Sequence, residues 1–254
     1  MAKSGSSVVS GTSKRQEGFA ETVKTVVYTL VVAVVIRTFL FEPFNIPSGS
    51  MISTLLVGDY LFVSKYSYGY SRHSAPFSVV PFSGRIFKSE PERGDVIVFK
   101  LPSDNKTDYI KRLVGLPGDT VRMQDGRLII NGQLVEREKV DEYTYRDTMG
   151  GMRRPTRYKE TLPGGKSHVI LEEGDNRRLD NTPEFVVPPG HYFMMGDNRD
   201  NSVDSRADVG FVPADNLVGR AEFLFFSTDG SARIYEFWKW PFAIRFERLF
   251  SGIN

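Results

Sequence analysis

From Thr22 to Phe41 the chain is mostly apolar, and its centre, Val31 to Ile36, carries no polar side chain. A helix of about twenty residues spans ~30 Å, the thickness of a bilayer's hydrocarbon core. Lys24 stands near one end and Arg37 near the other, where a long side chain snorkels to the interface. The residues that follow, Glu42-Pro43-Phe44-Asn45, lack the small-x-small pattern at which a removable leader ends. The segment therefore reads as a retained anchor over 22–41. Lys3, Lys14, Arg15 and Lys24 flank it on the N-terminal side, which puts the N-terminus in the cytoplasm and residues from 42 onward outside. Residues 1–21 are small and polar and read as a disordered cytoplasmic tail. No second run reaches ~18 apolar residues, so one span is expected.

Beyond the anchor the pattern turns to β. Tyr60-Leu61-Phe62-Val63, Asp95-Val96-Ile97-Val98-Phe99 and Tyr109 to Leu116 are short β-branched or aromatic runs bounded by Gly-Asp and Pro-Gly-Asp. Asn131-Gly132 between two further runs predicts a hairpin with a type I′ turn. The expected fold is mostly β, with the anchor helix followed by a β-rich core (42–121 and 189–254) and an inserted β-rich cap domain (122–188). The C-terminal run Tyr235 to Phe246 mixes aromatic and basic residues and holds both tryptophans. It suits a bilayer interface or a terminal element of the core.

Composition excludes several chemistries. Lys and Arg number 33 against 31 Asp and Glu, a net charge of +2, which gives no support to nucleic-acid binding. With 0 cysteines there is no disulfide scaffold, thiolate zinc site or cysteine nucleophile. His73, His168 and His191 are scattered without metal-ligand spacing. No metal and no cofactor is expected.

Two weak signals gain force together. Ile46-Pro47-Ser48-Gly49-Ser50-Met51 puts a serine on a tight turn, and Tyr109-Ile110-Lys111-Arg112 puts a lysine in an apolar strand. Alternation sets Tyr109, Lys111 and Leu113 on one face and Ile110, Arg112 and Val114 on the other, so one of the two cations must be paired or wet. A lysine amine titrates near 10.4 in water, and desolvation lowers that value. A neutral Lys111 would take the Ser50 hydroxyl proton during attack on a carbonyl, giving hydrolysis without histidine. The turn offers the Ser50 N–H and the Ser48 hydroxyl as oxyanion donors. Between Phe41 and Ser50 the chain reaches at most ~30 Å, which keeps Ser50 near the membrane surface. The penicillin-binding type of serine hydrolase holds its lysine three residues after the serine, and that position is Ser53 here.

A third segment, Met195-Gly196-Asp197-Asn198-Arg199-Asp200-Asn201-Ser202-Val203-Asp204-Ser205-Arg206, is dense in polar groups. It fits a solvated loop or a buried network in which Asp204 pairs with Arg206 and Ser202 holds the lysine. A calcium loop requires an Asp-x-Asp-x-Asp-Gly register that is absent.

In this order, with Gly58-Asp59-Tyr60-Leu61-Phe62-Val63, Arg93-Gly94-Asp95-Val96-Ile97-Val98-Phe99 and Gly115-Leu116-Pro117-Gly118-Asp119, these segments resemble the boxes of bacterial type I signal peptidase, also called leader peptidase. The resemblance runs from the anchor to about residue 226. It implies a membrane-anchored serine endopeptidase of the bacterial inner membrane, its catalytic domain on the periplasmic side, cutting signal peptides from exported preproteins. Residue by residue it implies Ser50 as nucleophile, Lys111 as general base, Ser48 at the oxyanion, Ser202 orienting the lysine, and Asp204 and Arg206 in support. It also implies substrate pockets around Phe44, Ile46, Pro47, Met51, Leu55, Tyr109 and Ile110. The implied partners are preprotein signal peptides and membrane lipid, and the expected state is monomeric. The chain carries Ile52-Ser53 where family members often have a proline, and it shows one span and no cysteine where some Gram-negative members have two spans and a disulfide.

Overall fold

The structure, a computed structural model, describes residues 11–74, 84–147, 150–232 and 235–253. Helix α1 spans Gly11–Phe39. Of the expected tail, residues 1–10 lie outside the described residues, and 11–21 are helical. Lys14-Arg15-Gln16-Glu17 and Ala20-Glu21 are strong helix formers, so the apolar helix extends back into this polar stretch. Phe19–Phe39 is long and apolar enough to cross a membrane, and none of its apolar stretch is buried by protein.

The helix ends two residues before the expected boundary at Phe41, because Phe41 is already committed to a strand. Strand β1 (Phe41–Asn45) pairs antiparallel with β2 (Asp59–Ser64), Phe41 opposite Ser64 and Asn45 opposite Tyr60. The Lys65 N–H donates to Leu40 O at 3.0 Å, and Arg37 pairs with Glu42 at 2.6 Å across the junction.

Strands β3 (Val96–Lys100) and β4 (Asp108–Gly115) continue the core. The chain then enters the cap through β5 (Thr120–Gln124), β6 (Arg127–Ile130), β7 (Gln133–Leu134), β8 (Glu136–Glu142), β9 (Tyr145–Arg146), β10 (Met152–Arg153), β11 (Thr156–Thr161), β12 (Ser167–Glu172) and β13 (Phe185–Val186). It returns through β14 (His191–Met195), β15 (Val212–Pro213) and β16 (Leu217–Ser227). Among the described residues the core sheet has the order β1-β2-β16-β3-β4-β14-β15. Cap strands form the sheets β13-β5-β6-β7 and β12-β11-β8, and β9 and β10 make a separate hairpin. Asn131 and Gly132 carry φ of 52° and 75° between β6 and β7, the positive pair that a type I′ turn requires.

Both faces of the core sheet are buried. Val96 and Val98 pack with Met51, Leu55, Leu61 and Leu224, whereas Ile97 and Phe99 pack with Leu113, Tyr192 and Met194. A third cluster joins Val114 of β4 and Phe193 of β14 to Val121, Leu128 and Leu162, so the core sheet and the strands between β4 and β14 share apolar contacts. The C-terminal residues close onto the core in part. Thr228 bridges Ile244, Phe223 bridges Gly252, and Ile253 packs on the core, whereas Phe237, Trp238, Trp240 and Phe242, around the short helix α2 (Trp240–Ala243), stay exposed.

Candidate active site

The serine turn hangs between strand and core. Ile46 exchanges backbone hydrogen bonds with Asp59 (2.8 Å) and Gly58 (3.0 Å) just before it. Just after it, Met51 and Leu55 are wholly buried in the apolar cluster beneath β2 and β3. Asn198 grips the turn from the other side. Its N–H donates to Ser50 O at 3.0 Å and its Nδ2 to Gly49 O at 2.9 Å. The Ser50 N–H is not spent on any hydrogen bond among the described residues. Ser48 Oγ lies 3.5 Å from Ser50 Oγ.

Lys111 occupies the middle of β4, opposite Ile97 of β3, and is only 3% exposed. Its Nζ stands 2.5 Å from Ser50 Oγ and 5.5 Å from the centre of the Tyr109 ring. Burial drives its pKa down to about 8; Asp204 and Asp197 pull it back up and Arg206 pushes it lower. Desolvation thus does to this amine what nucleophile activation requires.

Arg112, the next residue, is also buried, and it is the paired cation that alternation requires. Its Nε and Nη2 each reach an Asp197 oxygen at 2.8 Å, and Nη1 donates to Gly94 O at 2.7 Å. Thr54 Oγ1 donates to the same carboxylate at 2.5 Å. Burial acts to raise the Asp197 pKa, but Arg112, His168 and Thr54 outweigh it and hold the carboxyl below its usual range.

The 196–206 segment forms a buried network. Asp204 accepts from the Gly196 N–H at 3.0 Å and from Arg206 Nε and Nη2, both at 2.9 Å. Arg206 Nη2 also donates to Arg199 O at 2.6 Å. Against burial, Arg206, the Gly196 N–H and the Ser202 hydroxyl keep the Asp204 carboxyl below its usual range. Ser202 Oγ leans on that carboxylate without a hydrogen bond of full geometry, so it is a buried hydroxyl with capacity to spare. It sits over Gly196: a methyl carbon added there would stand 2.2 Å from Ser202 Oγ and 2.6 Å from Ser50 O.

A cleft of about 880 Å³ opens on the pair. Phe44, Ile46, Pro47, Ser48, Tyr109 and Ile110 line it along with Ser50 and Lys111. Met51 and Leu55 do not line it, since they face the core. Asp204, Arg206 and Ser202 stand behind the wall, within the buried network. Tyr143, Tyr145, Arg146 and Asp147 of the cap form a cleft wall that the sequence reading passes over, as do Asn198 and Asn201. The only local signal for that cap wall is the aromatic pair Tyr143 and Tyr145 inside a charged stretch. No cluster of three or more metal-ligating side chains occurs among the described residues.

Residues 19–226 match the family described as signal peptidase, peptidase S26. The signal peptidase I of Rickettsia typhi (strain ATCC VR-144 / Wilmington) is 45% identical over 209 residues, covering 79% of this chain and 78% of that protein. The signal peptidase I of Rickettsia akari (strain Hartford) is 46% identical over 209 residues, covering 79% and 77%. A solved signal peptidase I from Enterococcus faecalis V583 is 28% identical, covers 52% of this chain and 97% of that chain, and has a TM-score of 0.32.

Proposed function

The chain belongs to the signal peptidase family, peptidase S26, and is by that membership a signal peptide-cleaving peptidase; we propose that it works as a membrane-anchored serine endopeptidase with Ser50 as nucleophile and Lys111 as general base. The observation that carries this reading is the 2.5 Å approach of Lys111 Nζ to Ser50 Oγ in a buried setting. With a pKa near 8, roughly a tenth of the amine is neutral at pH 7, against less than one part in a thousand at its ordinary value.

Neutral Lys111 takes the Ser50 proton as Oγ bonds to the carbonyl carbon of the scissile peptide. The Ser50 N–H and Ser48 hydroxyl donate to the oxyanion that forms. The C–N bond breaks, and the Lys111 ammonium gives its proton to the departing amine, leaving an ester on Ser50. The same amine then deprotonates a water that attacks the ester, and Ser50 recovers its proton. Asp204 and Arg206 brace the buried segment behind Lys111, and Ser202, whose hydroxyl makes no hydrogen bond to Lys111 in the resting structure, is the acceptor that would orient its amine during the reaction. Phe44, Ile46, Pro47, Tyr109 and Ile110 supply the shallow apolar surface that small side chains before the cut would fill.

Helix α1 holds the site at the outer face of the cytoplasmic membrane, where the signal peptide emerges, with the N-terminus in the cytoplasm. The exposed Phe237, Trp238, Trp240 and Phe242 rings suit the headgroup layer. The test is incubation of the purified protein with a preprotein, followed by sequencing of the new N-terminus. A single cut after a small-x-small pattern, lost in Ser50→Ala, supports the proposal; cleavage by Ser50→Ala at the wild-type rate ends it.

A further inference from the structure

The cleft's lining has two parts of different origin. One is built by Phe44, Asn45 and Ile46, which follow the membrane helix directly. The other is built by Tyr143, Tyr145, Arg146 and Asp147 of the cap, together with Asn198 and Asn201. The Ser50 turn lies between them, and Asn198 touches both sides of that division: its Nδ2 donates to Gly49 O at 2.9 Å and to the Tyr145 hydroxyl at 2.9 Å. A signal peptide reaches the site from the membrane. The residues before its cut therefore run along the strand that adjoins the helix, and the residues after its cut continue toward the cap.

Several bonds tie the two strands, β9 and β10, to their surroundings. Asp147 accepts from the Gly151 N–H and from Arg153 Nε, both at 2.8 Å. Arg153 also reaches Glu173 at 3.5 Å, and Asn201 Nδ2 donates to Glu173 at 3.0 Å. The charges lining the cleft are largely committed elsewhere. Asp108 pairs with Lys100 at 2.8 Å, Asp229 accepts from the Ser231 N–H at 2.8 Å, and Arg245 donates to Val57 O at 3.1 Å. Arg146 differs: it is exposed, lines the cleft and makes no ion pair among the described residues. A cation beside a peptide's path discriminates by charge.

We infer that the β9–β10 hairpin reads the residues that follow the cut bond, with Arg146 favouring an acidic side chain there and Tyr145 fixing the hairpin to the nucleophile turn. This rests on the Ser50–Lys111 reading of the cleft. Arg146 is exposed, so its effect has the size of a solvent-exposed ion pair and weakens with salt.

The test uses the full chain in detergent and peptides identical up to the cut. Glu, Gln or Lys is placed in turn at each of the first three positions after the cut, and kcat/KM is measured at low ionic strength. The expected result is a preference for Glu over Lys of about two- to fivefold at one of these positions. That ratio falls to about one in Arg146→Gln, inverts in Arg146→Glu and survives in Arg146→Lys. The same walk before the cut shows no dependence on residue 146. A wild-type ratio of one at all three positions overturns the inference, as does a ratio unchanged in Arg146→Gln. Failure of the wild-type protein to cut the Gln peptides at all would instead count against the signal-peptidase mechanism itself.

Discussion

Arg112 and Asp197 form a bidentate ion pair, Nε to Oδ1 and Nη2 to Oδ2, each at 2.8 Å, one position along β4 from Lys111. Both side chains are almost wholly buried. Removing one partner leaves a charge stranded in the interior, which costs ~3–5 kcal/mol, whereas replacing both with apolar groups costs far less. Asp197→Ala is therefore expected to unfold at markedly lower denaturant than Arg112→Met/Asp197→Leu. Equal losses in the two proteins would show that the pair contributes no such coupling.

Asp197 also acts on the base. Its charge raises the Lys111 pKa against the dominant effect of burial. In wild type, the acid limb of kcat/KM against pH is expected near pH 8, because activity requires the neutral amine. Asp197→Asn keeps the shape and removes the charge, so the limb moves to lower pH. A limb moving upward would contradict the electrostatic account.

Burying Lys111 destabilises the fold at neutral pH. Its folded value of about 8 lies below the ordinary 10.5, so the unfolded chain binds the proton more tightly. The penalty is on the order of 3 kcal/mol below pH 8 and fades as the pH rises toward 10.5. Lys111→Met is expected to be more stable than wild type at pH 7, with the difference shrinking in alkali. Thermal unfolding of both proteins at pH 7 and pH 10 measures this.

Gly196 is required by space. A methyl there would meet Ser202 Oγ at 2.2 Å and Ser50 O at 2.6 Å, and the second contact is backbone, which cannot swing aside. Gly196→Ala is expected to displace the Ser50 turn and lower kcat by at least a hundredfold. Gly49→Ala meets only the Ile52 side chain, Cδ1 at 3.0 Å and Cγ1 at 3.7 Å, and is expected to lose far less. Comparable kcat in the two variants would remove Gly196 from the account.

What the sequence could disclose depended on how local the cause was. The Asn131-Gly132 turn is set by its own two residues, and it forms as expected. The helix stops at Phe39 because pairing of Phe41–Asn45 with β2, a tertiary contact, decides where it ends. Lys111 and Arg112 could be seen to need a paired or wet face, but Asp197 is far along the chain and only the fold brings it there. The cap wall was illegible for the same reason. Tyr145 reaches the cleft because β9 folds back to meet Asn198, and no spacing in the chain announces that contact. Met51 and Leu55 flank the serine in sequence, yet the turn directs them into the core rather than the cleft.

Ser202 offers a graded test of the lysine's orientation. Ser202→Ala removes a buried hydroxyl with little change in volume, so kcat is expected to fall about ten- to a hundredfold, with the unfolding midpoint nearly unchanged. Ser202→Thr keeps the hydroxyl and should recover part of the rate. A full wild-type kcat in Ser202→Ala would leave the residue without a role at the amine.

The most direct measurement is the rate of preprotein cleavage by Lys111→Met across pH 6 to 10, beside wild type under the same detergent conditions. Ser50 remains in that variant with its turn and its oxyanion donors intact, and only the base is gone. The account predicts a loss of about a thousandfold or more at every pH, with no limb near pH 8. Cleavage at the wild-type rate, or a surviving limb near pH 8, would contradict it.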